Sequence, residues 1–263
     1  MTENNEMIFK EERHAAILAL LETEGKITTA LIQRKFSVSY GTARNDLDEL
    51  AEKGLVQRTH SGALPVKPVC WRPGISALSS KERCAEVKEN YLRIARAAVE
   101  RIGVNEVVFV TSASIGYLMA RELPQDKSCT VVTNSLTIAE ELRGKSARVI
   151  LTGGEMAENG NFYDDFTLSA LSGLRFDKCF ITSAALSAGF GLSIQGGRDI
   201  ALARQVIAGS RQVVGLYPVE KLGVESVIRI APASALDVLI TENEASDEEC
   251  AAIAEQGAEV VRV

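Results

Sequence analysis

Histidine is almost absent from this sequence. The two present, His14 and His60, both fall in the first quarter of its 263 residues. No Ser/His/Asp relay is therefore expected anywhere in the rest of the chain. Cysteine is sparse and scattered: Cys70, Cys84, Cys129, Cys179 and Cys250 never fall into a CxxC spacing. Without paired cysteines or clustered histidines, no metal site and no cofactor is expected. An odd, dispersed set of thiols fits a reducing compartment, so the expected location is the cytoplasm. Long apolar runs are lacking too, since none reaches the ~18 residues that a membrane span needs. The opening MTENNEMIFKEER has neither a basic start nor an apolar centre and does not read as a signal peptide. Nor is there an excess of positive charge. The 29 Lys and Arg against 35 Asp and Glu give a net charge of −6, which weighs against a nucleic-acid partner at whole-chain scale.

The apolar share, 46 %, is ordinary and supports a core without staples. The length suits one large domain or two modest ones. Charge is segregated along the first segment. Between Gly25 and Asn45 lie Lys26, Arg34, Lys35 and Arg44 with no acid among them, whereas Glu3 to Glu24 precede this window and Asp46 to Glu52 follow it. A local basic face can meet phosphate while the rest of the chain stays acidic, although a solvated surface gives the same pattern.

The same segment is periodic. Ile17, Leu18, Leu20 and Leu21 have helical spacing over 8–24 and stop at Gly25. Thr28 is placed to cap a second helix that runs to Phe36. Ser37-Val38-Ser39 is a short turn, and Ala43, Leu47 and Leu50 form the apolar stripe of a third helix ending at Gly54. Leu55–Thr59 reads as a strand and Ser61-Gly62 as a turn. Proline and glycine then mark a linker over 64–79, with Pro65, Pro68, Pro73 and Gly74. An amphipathic helix is predicted from Ser80 to Ile102. Beyond it, short β-branched runs at 107–110, 130–132, 148–151, 179–182, 212–216, 236–240 and 259–261 alternate with helical stretches such as Leu136–Leu142 and Ile200–Ala208. That order predicts an α/β domain over 80–263 with a mostly parallel sheet, following an N-terminal domain over 1–63.

Helix, helix, tight turn, helix and hairpin together describe a winged helix-turn-helix. The third helix of such a module enters the major groove of double-stranded DNA and needs one buried and one polar face. With Ala43, Leu47 and Leu50 inward, Tyr40, Gly41, Thr42, Arg44 and Asn45 are left outward. Arg reads guanine and Asn adenine, each through two hydrogen bonds. Ser37, Ser39 and Tyr40 can donate to phosphate, and Thr28 and Arg58 complete the expected DNA-facing set. A three-helix packing module with no DNA role stays open on pattern alone.

The stretch from Arg13 to Ala63 resembles the DeoR-type helix-turn-helix along its whole length. The matching marks include the Ile17-Leu18 pair, Gly25, Phe36, Val38-Ser39, Thr42, Arg44, Asp46-Leu47, Leu50, Gly54-Leu55, Arg58 and Gly62-Ala63. The resemblance implies a bacterial regulator, most often a repressor, of a carbohydrate-catabolism operon. Two marks depart from the family pattern: Asn45 stands where a second arginine is usual, and Ser61-Gly62 where two glycines are usual.

The remainder resembles the family's C-terminal sensor domain, related in fold to ribose-5-phosphate isomerase and the CoA transferases. VFVTSAS at 108–114, VVTNS at 131–135, LTGG at 151–154 and DKCF at 177–180 carry the likeness. It implies an effector site at the strand-end loops, on Ser112, Ser114, Thr133, Asn134, Ser135, Gly153, Gly154 and Lys221. The loops depart from the pattern as well. The first usually reads Asp-Ser-Gly-Thr-Thr but is Thr111 to Ile115 here, and Asp-Ser-Ser-Lys becomes Pro218 to Lys221. Three accounts of the domain stay open: a sugar phosphate held by fewer contacts, a different metabolite, or an assembly module that binds nothing. Enzyme activity is not expected, although Glu140, Asp199 and Lys221 offer carboxylate and lysine groups of the kind sugar-phosphate isomerases use. A DNA-binding activator or architectural protein is the other alternative. Operators with two half-sites suit a homo-oligomer, a dimer or tetramer.

Overall fold

A computed structural model describes residues 10–24, 27–53, 55–59, 61–65, 79–84 and 88–263. The predicted linker prolines 68 and 73, and Gly74, lie outside the described residues, as does Val87 of the predicted Ser80–Ile102 helix. The chain forms two compact units, Met1–Pro68 and Val69–Val263.

The first unit contains α1 (Lys10–Glu24), β1 (Ile27–Thr28), α2 (Thr29–Phe36), α3 (Tyr40–Glu52), β2 (Val56–Arg58) and β3 (Gly62–Pro65). Thr28 caps α2, its hydroxyl accepting from the Leu31 N–H at 3.2 Å. Ser37 ends α2 in the left-handed region at φ 52°, its N–H returned to the Gln33 carbonyl. That reversal needs no glycine and leaves room for Ser39 to cap α3 by accepting from the Thr42 N–H at 3.1 Å. Ile17, Leu21, Ile32, Ala43, Leu47, Leu50 and Val56 fill the core. The three strands form one antiparallel sheet, ordered β1-β3-β2, with Thr28 opposite Gly62. A Cβ at Gly62 would collide with the Ile27 carbonyl, so the wing strand can approach β1 this closely only as glycine. The strand β1 was missed in sequence because two residues carry no periodicity.

The second unit is built on a seven-stranded parallel sheet ordered β13-β12-β10-β7-β4-β5-β6. Its elements run α4 (Glu89–Glu100), β4 (Val107–Val110), α5 (Ser114–Glu122), β5 (Thr130–Thr133), α6 (Leu136–Glu141), β6 (Arg148–Leu151), α7 (Asp165–Ser172) and β7 (Phe176–Ile181). They continue as β8 (Ala185–Ser187), β9 (Gly191–Ile194), α8 (Arg198–Gly209), β10 (Ser210–Leu216), β11 (Ile228–Ala231), β12 (Val238–Thr241), α9 (Asp247–Ala254) and β13 (Glu259–Arg262). Helices cover both faces, giving two buried layers. All seven predicted strands are present within a few residues of their expected bounds, and the sheet is parallel as expected. A second, antiparallel sheet ordered β11-β9-β8 was not predicted.

The expected continuous helix from Ser80 to Ile102 is corrected. A short 3-10 turn at Glu82–Cys84 precedes α4. Ser79 and Glu82 cap each other: the Ser79 N–H donates to Glu82 Oε2 at 2.7 Å and the Glu82 N–H to Ser79 Oγ at 3.2 Å. The turn swings Arg83 and Cys84 onto the start of α5, where the Cys84 thiol lies 3.5 Å from the Ser114 carbonyl. The helical period read over 80–102 belongs to Ile94, Ala95 and Ala98 of α4.

Candidate functional site

On α3 the two faces separate as their residue types demand. Ala43, Asp46, Leu47 and Leu50 are buried. Tyr40 is 56 % exposed, and Gly41, Arg44 and Asn45 are exposed beside it. Thr42 is half-buried, its hydroxyl 2.9 Å from that of Ser39. Ser39 and Thr28 serve as helix caps at exposed positions, and Ser37 is an exposed turn residue. Arg58 is placed differently from a free phosphate contact. Its Nε donates to Asp48 Oδ1 at 2.6 Å and its Nη1 to the Gly62 carbonyl, so it braces the wing against α3. Asp48 also faces Arg44, at 3.6 Å.

An acid in the apolar stripe of α3 was the missed signal in this unit. Asp46 is 2 % exposed. Arg13 reaches it from α1 with two bonds, Nε to Oδ2 at 2.6 Å and Nη2 to Oδ1 at 2.9 Å, and His14 Nε2 lies 3.1 Å from Oδ1. Burial pushes the Asp46 carboxyl up, but the hydrogen bonds from Arg13 and His14 outweigh it and hold the group below the usual carboxylate range.

In the second unit, the loops named from sequence gather where the parallel strands end. After β4 the chain runs through Thr111 and Ser112 to Ala113, which starts α5 with no side-chain cap. Ile115 is 1 % exposed and belongs to the core, not to a ligand. After β5, Thr133 is corrected from an effector contact to an internal fastening: it is fully buried and its hydroxyl donates to the Val110 carbonyl at 3.0 Å. Asn134 donates to the Phe162 carbonyl at 3.0 Å. Gly153 and Gly154 form a turn at φ 68° and 117°. Thr167 closes it by donating to the Gly153 carbonyl at 2.8 Å, and a Cβ at Gly154 would strike the Asp164 carboxylate. These glycines are needed for the turn itself. Lys221 is half-buried in the short turn Val219–Lys221. Glu140, named as a carboxylate candidate, is exposed on α6.

Several buried polar atoms here have no hydrogen-bond partner among the described residues: Asn134 Oδ1, Ser135 Oγ, Thr152 Oγ1 and Asn161 Oδ1. They are neighbours. Ser135 pairs with Asn161 through a β-bridge, and the Thr152 N–H donates to the Thr133 carbonyl. Asn161 Nδ2 in turn donates to the Tyr163 hydroxyl at 2.9 Å. Tyr163 then lines a cleft with Thr111, Ser112, Thr182 and Asp199 over an apolar floor that includes Phe109 and Leu202. Tyr163, Asn161 and Arg83 were missed in sequence, since no motif surrounds any of them; Asp199, named from sequence as a carboxylate candidate, lies in the first turn of α8 and lines this cleft. Among the described residues no group of three or more His, Cys, Asp or Glu could hold a metal, and no helix is long and apolar enough to cross a membrane. Cys84, Cys129, Cys179 and Cys250 are buried free thiols; Cys70 lies outside the described residues.

A winged three-helix module carrying a polar reading helix, with a parallel α/β unit whose polar groups collect at the strand ends, defines a DNA-binding transcription regulator with a sensor. The chain matches the DeoR-like helix-turn-helix domain over residues 13–69 and the DeoR C terminal sensor domain over 86–243. It belongs to the DeoR family, and it is a regulator, not an enzyme. It is 30 % identical over 97 % of its length to the HTH-type transcriptional repressor GlcR of Bacillus subtilis, covering 96 % of that protein. It is 29 % identical to the HTH-type transcriptional regulator GolR of Listeria innocua, over 90 % of this chain and 92 % of that one. The Glycerol-3-phosphate regulon repressor of Escherichia coli is 29 % identical over 88 % of this chain and 90 % of its own length. Among solved structures, ribose 5-phosphate isomerase A of Methanocaldococcus jannaschii is 15 % identical over 50 % of this chain and 52 % of that one, at a TM-score of 0.37.

Proposed function

We propose that the chain represses a carbohydrate-catabolism operon in the cytoplasm and releases its operator when a small metabolite occupies the strand-end site. It works as a homo-oligomer, a dimer or tetramer, which matches two half-sites on the operator. Tyr40, Gly41, Thr42, Arg44 and Asn45 face the major groove, with Thr28, Ser37 and Ser39 near phosphate and Arg58 holding the wing in place. Ser112, Ser114, Asn134, Ser135, the Gly153-Gly154 turn and Lys221 surround the effector. The observation that carries the first part is the division of α3 into a fully buried face and an exposed face of base-reading residue types. The unpartnered polar atoms at Asn134, Ser135, Thr152 and Asn161 favour a sensor over an assembly module, because buried polar groups in folded proteins are normally satisfied.

The test is an electrophoretic mobility shift with the DNA upstream of the neighbouring carbohydrate genes. Expected is a specific complex that resists competitor DNA and dissociates on adding one metabolite of that pathway. A complex no tighter than that with random DNA overturns the operator assignment. A specific complex untouched by every pathway metabolite removes the sensor.

A further inference from the structure

An acid stands among the outward residues of α3. Gly41, Arg44 and Asp48 recur at spacings of three and four, so they form one stripe along the helix. Asp48 is partly exposed, and its two carboxylate oxygens go to different arginines. Oδ1 accepts from Arg58 Nε at 2.6 Å, and Oδ2 lies 3.6 Å from Nε of Arg44, one helical turn back. Arg58 is in turn held by the wing. Its Nη1 donates to the Gly62 carbonyl and, at 3.4 Å, to that of Thr59. Gly62 has its own place fixed, opposite Thr28 of β1. A relay of contacts therefore runs from the wing through Arg58 and Asp48 to Arg44.

Stability alone accounts poorly for this acid, because exposed pairs spaced four apart on a helix contribute little. Attraction to DNA does not account for it either, since a carboxylate in that stripe repels the phosphates. Bracing the wing explains Oδ1 but not the approach of Arg44 to Oδ2. Arginine has many rotamers, and reading a base requires one of them. The approach through Nε puts the acid at the side of the guanidinium, whose two terminal nitrogens pair with guanine O6 and N7. An acid fixed by Arg58 thus narrows the rotamers of Arg44 before DNA arrives.

We propose that Asp48 is a positioning residue for base reading: anchored by Arg58, it orients Arg44 toward a guanine and sets how strictly that base is required. Arg44 makes the contact, and Asp48 acts through it. The carboxylate lowers affinity for all DNA and raises the preference for one base. An amide in its place keeps a hydrogen bond to Arg58 but loses the attraction to both cations. The proposal rests on the reading that Arg44 faces the major groove of the operator.

The test is selection from a random-sequence DNA pool by the full chain, followed by binding titrations on the enriched site and on versions with single bases changed. The wild type should select a guanine in each half-site that Arg44→Ala no longer selects. Asp48→Asn should lower the preference for that guanine about tenfold, while binding to random DNA stays equal or tightens. In an Arg44→Ala background, Asp48→Asn should change the preference no further, because coupled residues are not additive. A wing brace alone would lose specific and random binding by the same factor, and an idle acid would let both rise together; either result overturns the proposal. A guanine that Arg44→Ala still selects overturns it too, whether or not any Asp48 variant folds, and leaves the operator assignment standing. A wild type that selects no sequence at all sinks the operator assignment along with it.

Discussion

The two units treat buried polarity in opposite ways. In the first, Asp46 is sealed from water and fully engaged, with Arg13 and His14 bonded to it across two helices. In the second, Asn134 Oδ1, Ser135 Oγ, Thr152 Oγ1 and Asn161 Oδ1 are equally buried but have no hydrogen-bond partner among the described residues, and Asp199 lines a cleft with Tyr163, to which Asn161 is bonded. A closed cluster fixes the angle between α1 and the reading helix, which a DNA-reading surface needs in order to keep its register on the base edges. An open cluster leaves hydrogen-bonding capacity to be met from outside. The difference teaches where each unit is rigid for its own sake and where it is prepared for a guest.

Breaking the closed cluster should have the largest effect. Asp46→Asn leaves Arg13 buried without its counter-charge, and a loss of about 3–5 kcal/mol is expected, enough to unfold most of the small N-terminal unit. Thermal unfolding followed by circular dichroism should show the first unit melting early while the second keeps its transition. The depressed Asp46 pKa adds a sign. Its contribution is complete above the unfolded carboxylate pKa of about 3.9 and is lost as pH falls through the lower folded value. A wild-type unit whose stability over Asp46→Asn does not shrink at acid pH would contradict this.

Next in size is the reading face, which the closed cluster supports but does not include. Arg44→Ala should weaken operator binding by about 1–3 kcal/mol with little change in melting, because Arg44 is exposed and its one ion pair among the described residues is the 3.6 Å contact with Asp48. Binding titrations on the mapped operator check it, and unchanged affinity removes Arg44 from base reading. Smaller again, Asp199→Asn should stabilise the second unit at neutral pH, since the neutral amide avoids burying a charge. For a carboxyl whose folded pKa is raised, the native state takes up protons first as pH falls. The advantage of Asn should therefore shrink through the window between the raised folded value and about 3.9, opposite in sign to Asp46. Denaturant unfolding at several pH values reads this. The smallest effect belongs to Ser135→Ala, which removes a buried hydroxyl with no partner among the described residues; the ligand-free chain should be unchanged or slightly more stable. A drop of about 2 kcal/mol would mean that the cluster is satisfied within the ligand-free molecule after all.

Much of this contrast was legible in the sequence, but unequally. The stripe of Ala43, Leu47 and Leu50 was enough to orient α3, and the β-branched runs located every strand of the large sheet, because periodicity and burial are local properties. Asp46 was visible as an acid interrupting an apolar face, yet its partners lie more than thirty residues back on α1, and no local pattern links them. Ile115, which ends the loop that departs from the family pattern, proves to be core. Thr133 looked like a donor to an effector because a strand-end threonine reads the same whether it faces a ligand or fastens two strands together. Arg83, bonded to Ser112, and Asp199, which lines a cleft with Ser112, reach that loop from before α4 and from α8, so no local pattern joins them.

The strand order carries a consequence for how the molecule comes into being. The first unit closes its longest strand pairing, Ile27 with Ala63, within the first quarter of the chain. In the large sheet, by contrast, β7 must sit between β4 and β10, with three crossovers, through α5, α6 and α7, separating it from β4. Contacts so distant in sequence form slowly, and parallel pairings cannot begin until both strands have left the ribosome. The DNA-reading unit is thus expected to be folded while the sheet that governs it still lacks its central strand. A chain interrupted during synthesis would carry a finished reader with no means of being told to let go.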